Sequence, residues 1–392
     1  MPHYYFDHNA TTPVSPEVME TLVPCLAEVY GNPSSIHHFG QAAKQRLESA
    51  RRQLAELLGA QPTEIVFTSG GTESDNLAIL GIVRNARGER KHAVTTEIEH
   101  PAVLGAFAQL EREGVDVTHV PVGGSGVVDP ADIRRALKPH TALVSVMHAN
   151  NETGTVQPVG EIARIAHDGG ALVHVDGVQS AGKIPVDAGT LGADLYTVSG
   201  HKIYAPKGVG ALYVRKGTPL GSIVFGGRHE RERRPGTENI PGIVALGRAA
   251  EWMRENLTGE TARLAALRDR LERGILARVP ASGVNGAVAS RTANTTNIHF
   301  DDIEGEALVI ALDLRGFAVS TGAACSSGAV QPSHVLIAMG LSKERAKSSI
   351  RFSLGRANDA AQVDALIEAV AASVEHLRRL SPVNTRRETV HV

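Results

Sequence analysis

Leu195-Tyr-Thr-Val-Ser-Gly-His-Lys202-Ile-Tyr-Ala-Pro-Lys-Gly-Val-Gly210 is the stretch on which the reading of this chain turns. A short apolar strand delivers a Ser-Gly-His-Lys turn. Pro206, Gly208 and Gly210 then bend the backbone again before a second strand, Ala211-Leu-Tyr-Val-Arg215. Lys202 therefore stands at the end of a strand, where an open α/β sheet puts its ligands. Desolvation and a neighbouring cation both disfavour an ammonium held there, which makes Lys202 a candidate Schiff-base lysine.

A lysine taken at random is most often a solvated surface residue, and two other strand ends argue against that reading here. Ala171-Leu-Val-His-Val-Asp176-Gly-Val-Gln179 reads as a buried strand ending in a carboxylate. Ala142-Leu-Val-Ser-Val-Met-His-Ala-Asn-Asn151 reads as another, ending in amides. Asp176 and Lys202 stand one strand-to-strand excursion apart. A lysine for an aldehyde and a carboxylate for a pyridinium nitrogen are the pair that a pyridoxal phosphate (PLP) site needs.

Working outward, Glu64-Ile-Val-Phe-Thr68 is a strand, Ser69 to Asn76 a small-residue turn containing Gly71 and Thr72, and residues 77 to 84 the helix that follows. Glycines let a backbone approach an anion closely, and a helix start aims free N–H groups at it, so a phosphate would fit this turn. Competing phosphate motifs fail. There is no G-x-G-x-x-G, and Gly177-Val-Gln-Ser-Ala-Gly182-Lys183 is a Walker A near miss, with Ile184 where the metal-binding hydroxyl must be. Strand and helix signals alternate from residue 64 to about 215, the pattern of a largely parallel sheet with helices on both faces. The arginine-dense segment 226 to 239 reads as a solvated charged loop.

From residue 259 to 279 a long amphipathic helix is expected to begin a second, α+β domain, with strands at 295 to 300 and 349 to 354 and helices at 304 to 314 and 360 to 380. Two cysteines are too few for a disulfide framework or a structural zinc site. Cys25 lies in a helical apolar pattern that predicts a buried, inert thiol. Cys325 lies in Ser320-Thr-Gly-Ala-Ala-Cys-Ser-Ser-Gly-Ala-Val-Gln-Pro332, whose small residues favour an exposed one. His37 and His38, with no second ligand set nearby, read as solvated or hydrogen-bonded. A hydrophobic content of 42% and a formal net charge of −2 point to no nucleic acid and no anionic membrane. Without a spanning apolar run or a basic-then-apolar leader pattern, the expected location is the cytoplasm.

Taken together the chain resembles the cysteine desulfurases, in particular the NifS/IscS-like group I enzymes of PLP fold type I within the class V aminotransferase family. The resemblance rests on Asp7-His-Asn-Ala-Thr-Thr-Pro13, Phe67-Thr-Ser-Gly-Gly-Thr-Glu-Ser-Asp-Asn76, Glu99-His-Pro-Ala-Val103, Asn150-Asn-Glu-Thr-Gly154, Val198-Ser-Gly-His-Lys202, Arg234-Pro-Gly-Thr-Glu-Asn239 and the Cys325 segment. It implies an α/β fold: a large PLP-binding domain with a mainly parallel sheet flanked by helices (15–255) and a smaller α+β domain carrying the Cys325 loop (256–382). An amino-terminal arm (1–14) would pack with the small domain, and a tail (383–392) would follow.

The resemblance also implies roles. Lys202 would carry the cofactor and Asp176 would pair with its ring nitrogen. His100 would stack on the ring and move protons, and Gln179 would bond the ring hydroxyl. Asn151 would lie at ring and substrate, and Gly71, Thr72, Ser199 and His201 would hold the phosphate, with Thr237 reaching the phosphate of a neighbouring subunit in a homodimer. Arg351 would take the substrate carboxylate, the task that its bidentate geometry suits. Cys325 would accept sulfur from L-cysteine as a persulfide, leaving L-alanine, and pass it to an iron–sulfur scaffold or another thiol. An aminotransferase or selenocysteine lyase would share Lys202 and Asp176, but transamination needs no such thiol. A non-enzymatic protein on this fold would be expected to have lost Lys202 or His100.

Overall fold

The structure is a computed structural model and describes residues 3–88, 91–286, 290–322 and 331–380. Its centre is a seven-stranded sheet in the spatial order Ile65–Thr68, Gly210–Val214, Leu195–Ser199, Leu172–Asp176, Thr141–Met147, His92–Thr96 and Asp116–Val120. All neighbours pair in parallel except Gly210–Val214, which runs antiparallel to both its partners. Successive side chains of a strand point to opposite faces. Val144, Val146, Val173, Val175 and Val198 accordingly join one core. Val66, Ala93, Leu143, Leu195 and Leu212 join the core on the other face. The helices His38–Leu57 and Val159–Asp168 contribute to the first core, Gly71–Asn85 and Pro101–Arg112 to the second. Burial on both faces is what makes these strands read as continuous apolar runs.

A second sheet, in the order Ser349–Ser353, Thr295–Phe300, Ser282–Val284, is antiparallel. It carries a separate core of Phe300, Leu308, Phe352, Leu366 and their neighbours. The amino-terminal arm belongs to this side: Tyr4 and Tyr5 pair with Phe317 and Ala318, and Phe6 is fully buried in the same core.

The helix expected from residue 259 differs from its reading. It is one continuous helix of 39 residues, Ile240–Arg278. Its first part, through Met253, packs in the core of the central sheet, and its last part, from Leu267, packs in the core of the small one. The polar stretch from Arg254 to Glu260 breaks the apolar pattern without breaking the backbone, so a boundary at residue 255 falls inside this helix. The helix after Thr68 also starts earlier than residue 77, at Gly71.

The arginine-dense loop is not simply a solvated face. Glu230 is buried, and its carboxylate takes both Nη groups of Arg51, at 2.8 and 2.7 Å, together with the backbone N–H of Phe67 at 2.8 Å. The loop is thereby fastened to the edge strand that leads to Gly71. Two histidines and a cysteine keep to their expectations: His37 caps the helix His38–Leu57 by accepting the N–H of Gly40, His38 is exposed, and Cys25 is buried, with burial pushing its thiol pKa up. Removing one partner from a buried, hydrogen-bonded ion pair leaves the other uncompensated. Glu230→Ala should therefore lose about 3 to 5 kcal/mol of stability, and Glu230→Gln, which can still accept from Phe67, should lose less. Urea unfolding followed by circular dichroism measures both, and equal losses would contradict the role given to the hydrogen bond from Phe67.

Candidate active site

Five strands of the central sheet end on one side, and each end delivers a polar residue to a single cavity of about 400 Å³. Ile65–Thr68 leads to Gly71 and Thr72, and Leu195–Ser199 to Ser199, His201 and Lys202. Leu172–Asp176 supplies Asp176 and Gln179, Thr141–Met147 leads to Asn151, and His92–Thr96 to His100. Convergence at the carboxyl edge of a parallel sheet is where such folds bind ligands. Arg351 enters the same cavity from the small sheet.

At one end of the cavity lies the start of the helix Gly71–Asn85. Its cap residue, Gly70, makes no side-chain capping bond, which leaves the first N–H groups facing the cavity without a side-chain partner. A Cβ on Gly71 would stand 2.9 Å from Val178 Cγ2 and 3.4 Å from Ser199 Cβ, so only glycine lets the backbone lie this close to the strand ends. His201 is braced by Thr11, Nδ1 to Oγ1 at 3.1 Å, and burial, reinforced by neighbouring lysines, pushes its pKa down to about 4.

Lys202 follows Ser199 in a single 3₁₀ turn, Gly200–Lys202, and donates to the carbonyls of Asn9 (2.6 Å) and Ala10 (2.7 Å). Burial, with Arg351 adding to it against the pull of Asp7 and Asp176, brings its pKa down to about 8. Asp176 is 5% exposed and accepts the N–H of Val178 at 3.0 Å, and no cationic side chain lies within ion-pair distance among the described residues. Burial pushes its carboxyl pKa up, opposed by His100, the Val178 N–H and Lys202.

His100 caps the helix Pro101–Arg112, its Nδ1 accepting the N–H of Ala102 at 3.1 Å. A neutral imidazole whose Nδ1 accepts carries its proton on Nε2. Burial lowers the His100 pKa, with Asp176 acting the other way. Behind it, Glu99 binds Thr96 Oγ1 and the N–H of Met147, which ties the His100 turn to the neighbouring strand, and burial raises its pKa to about 8.

Arg351 is 4% exposed. It donates to Asp7 Oδ1 (2.7 Å) and to the carbonyl of Asn151 (3.1 Å), while its Nε is buried with no partner. Thr237 stands apart: it is exposed and does not line the cavity of its own chain. Cys325 lies outside the described residues; Ser320 and Gly322, the cavity-lining residues nearest to it in sequence, do not.

The sequence reading passed over Asn9, Asp7 and Lys183. Asn9 is 2% exposed and touches nearly every part of the site. Its carbonyl accepts from Lys202 and from Gln179 Nε2 (2.9 Å), and its side chain bonds the Asn151 carbonyl, Thr295 Oγ1, Asn294 and Lys183. The only signal for it was its place in the Asp7-His-Asn-Ala-Thr-Thr-Pro13 motif, whose polar residues lie too far from the strand ends in sequence to be paired with them.

Comparison with known proteins agrees with this architecture. A cysteine desulfurase from Trichormus azollae is 50% identical over 378 residues, spanning 96% of this chain and 94% of that protein. The cysteine desulfurase IscS of Methanosarcina thermophila is 46% identical over 382 residues, covering 97% of this chain and 94% of that one. A solved NifS-like protein superposes with a TM-score of 0.90 at 37% identity, over 96% of this chain and 100% of that chain. The pattern of the aminotransferase class-V family, by the description it carries, matches residues 4–366, and the chain belongs to this family of PLP-dependent enzymes.

Proposed function

We propose that the enzyme is a cysteine desulfurase, as its relatives are named, and that it converts L-cysteine to L-alanine and takes the sulfur onto Cys325. The observation that carries this reading at the site is the Lys202 amine, brought near neutrality at a strand end, in one cavity with Asp176, His100 and Arg351.

The residues fit PLP. The uncapped helix start at Gly71, with Thr72, Ser199 and His201 beside it, suits a phosphate dianion. Asp176, buried and without a cation, suits a protonated ring nitrogen, which would lower its raised pKa again. Gln179 reaches the cavity with an amide for the ring hydroxyl, and Asn151 and His100 lie on its walls. When bound, PLP supplies the electron sink that lets the substrate Cα give up its proton.

The chain's own groups do the rest. Arg351 holds the substrate carboxylate, its unpartnered Nε giving it a donor to spare. Lys202, whose pKa burial brings down to about 8, is the base placed to take the substrate Cα proton. His100, with its neutral proton on Nε2, serves as the acid facing the cavity. The Cys325 thiolate attacks the substrate sulfur: an S–S bond forms, the C–S bond breaks, and its electron pair stays on the substrate carbon, which takes up a proton on the way to alanine. The persulfide then passes to a thiol of an acceptor protein, such as an iron–sulfur scaffold.

The same reading makes the enzyme a homodimer of the cytoplasm. Thr237, exposed and away from its own cavity, is available to a partner's phosphate, and no helix among the described residues is long and apolar enough to cross a membrane.

Three outcomes follow for measurement. Borohydride should fix PLP to Lys202 alone, and the rate of PLP attachment to apoprotein should rise with pH around a midpoint of about 8, because only the neutral amine attacks. A label on another lysine, or a rate that falls with pH, would contradict the assignment. Cys325→Ser should bind PLP and cysteine yet release almost no alanine or sulfide, whereas Cys25→Ser should retain turnover; desulfuration by Cys325→Ser at the wild-type rate would sink the persulfide step. Mixing Lys202→Ala with Thr237→Ala subunits should restore activity in heterodimers, and none would be recovered if each site were built from one chain.

A further inference from the structure

A second lysine lies behind the first. Lys183 lies four residues after Gln179 in the turns that follow Asp176, and their side chains meet. The residue as a whole is half-buried, its stem beside a small cavity shared with His8 and Thr261, while its amine end lies deep in the protein. That amine donates to Gln179 Oε1 at 2.5 Å and to Asn9 Oδ1 at 3.1 Å. It does not line the active-site cavity, and the mechanism above makes no use of it.

We propose that Lys183 is a positioning residue: its amine fixes the Gln179 amide so that Gln179 presents an N–H, and not its oxygen, to the active-site cavity. With Oε1 held by Lys183, Nε2 has one hydrogen on the Asn9 carbonyl and a second left for the cavity that Gln179 lines. The flipped amide is opposed from both sides. It would set Oε1 against the Asn9 carbonyl oxygen, which already accepts from Lys202, and it would forfeit the hydrogen that Lys183 gives to Oε1. A buried amide pays heavily for such contacts. Burial, with Lys202 and Arg351 adding to it, pushes the Lys183 pKa well down, so the amine can persist here without a counter-anion and still donate.

The inference rests on the assignment of Gln179 to the ring hydroxyl made above. A fixed donor at that point stabilises an oxygen anion and lowers its affinity for a proton. The group that reads this out is the chromophore formed by PLP on Lys202, whose absorbance titrates with pH. Arg351, Asp7, Asp176, His100 and His201 also act on it, and replacing Lys183 leaves all of them in place.

In Lys183→Met the titration should move up by roughly half to one pH unit, the size of one net hydrogen bond. Lys183→Gln, whose amide falls one carbon short of the Gln179 oxygen, should move it the same way and carries the test if the Met variant does not fold. In a Gln179→Ala background the Lys183 substitutions should have no further effect. A folded Lys183 variant titrating as wild type, or a shift that persists without Gln179, would overturn the proposal. The two readings fail separately: a wild-type protein forming no chromophore on Lys202 defeats the PLP site, whereas a normal wild-type chromophore indifferent to Lys183 defeats only this inference.

Discussion

Asn9 is the constraint on which the site depends. Its backbone N–H donates to Ser353 Oγ, its carbonyl receives Lys202 and Gln179, and its amide spans Lys183, Asn294, Asn151 and Thr295. Those partners come from the central sheet's carboxyl edge, from the small sheet and from the turns between them. A buried amide left unpaired costs about 1 to 3 kcal/mol for each group, so these elements cannot drift apart singly. Lys202 and Arg351 sit on opposite sheets, yet both are tied within one or two bonds of this residue, Arg351 through the carbonyl of Asn151.

Around that hub the electrostatics are set by depth more than by charge pairing. Lys202, His100 and His201 are pushed toward their neutral forms, and Asp176 and Glu99 toward protonation, with burial the largest cause in each case. The cavity thus offers one amine, Lys202, able to exchange its proton near neutral pH, beside imidazoles held toward their neutral form. Arg351 and Asp7 form an ion pair at 2.7 Å, so an anion bound by the guanidinium would have to compete with the Asp7 carboxylate.

Much of this was legible in the chain. Each doubly buried strand reads as an apolar run, and polar residues at or just past its end, Lys202, Asp176, Asn151 and His100 among them, are brought together by the sheet. The reading weakened where the partner was distant in sequence. Glu230 looked solvated among arginines because Arg51 and Phe67, which bury it, come far earlier in the chain. Lys183 looked like a fragment of a phosphate loop because Asn9, one of the two residues that hold it, lies 174 residues earlier. The helix Ile240–Arg278 was cut short because its apolar face turns from one core to the other midway, and periodicity sees that turn as an interruption.

The arm that carries Asn9 also orders events during synthesis. Asn9 is synthesised well before its partner Ser353, which lies 344 residues further on. At typical elongation rates of about 5 to 20 residues per second, the two are separated by on the order of tens of seconds. Through that interval the strands bearing Lys202 and Asp176 can pair while Arg351 and the hub that aligns it are still missing. A nascent chain therefore has no finished pocket until Ser353 and Arg351 have been made, and the chemistry of a reactive sulfur donor is withheld until then.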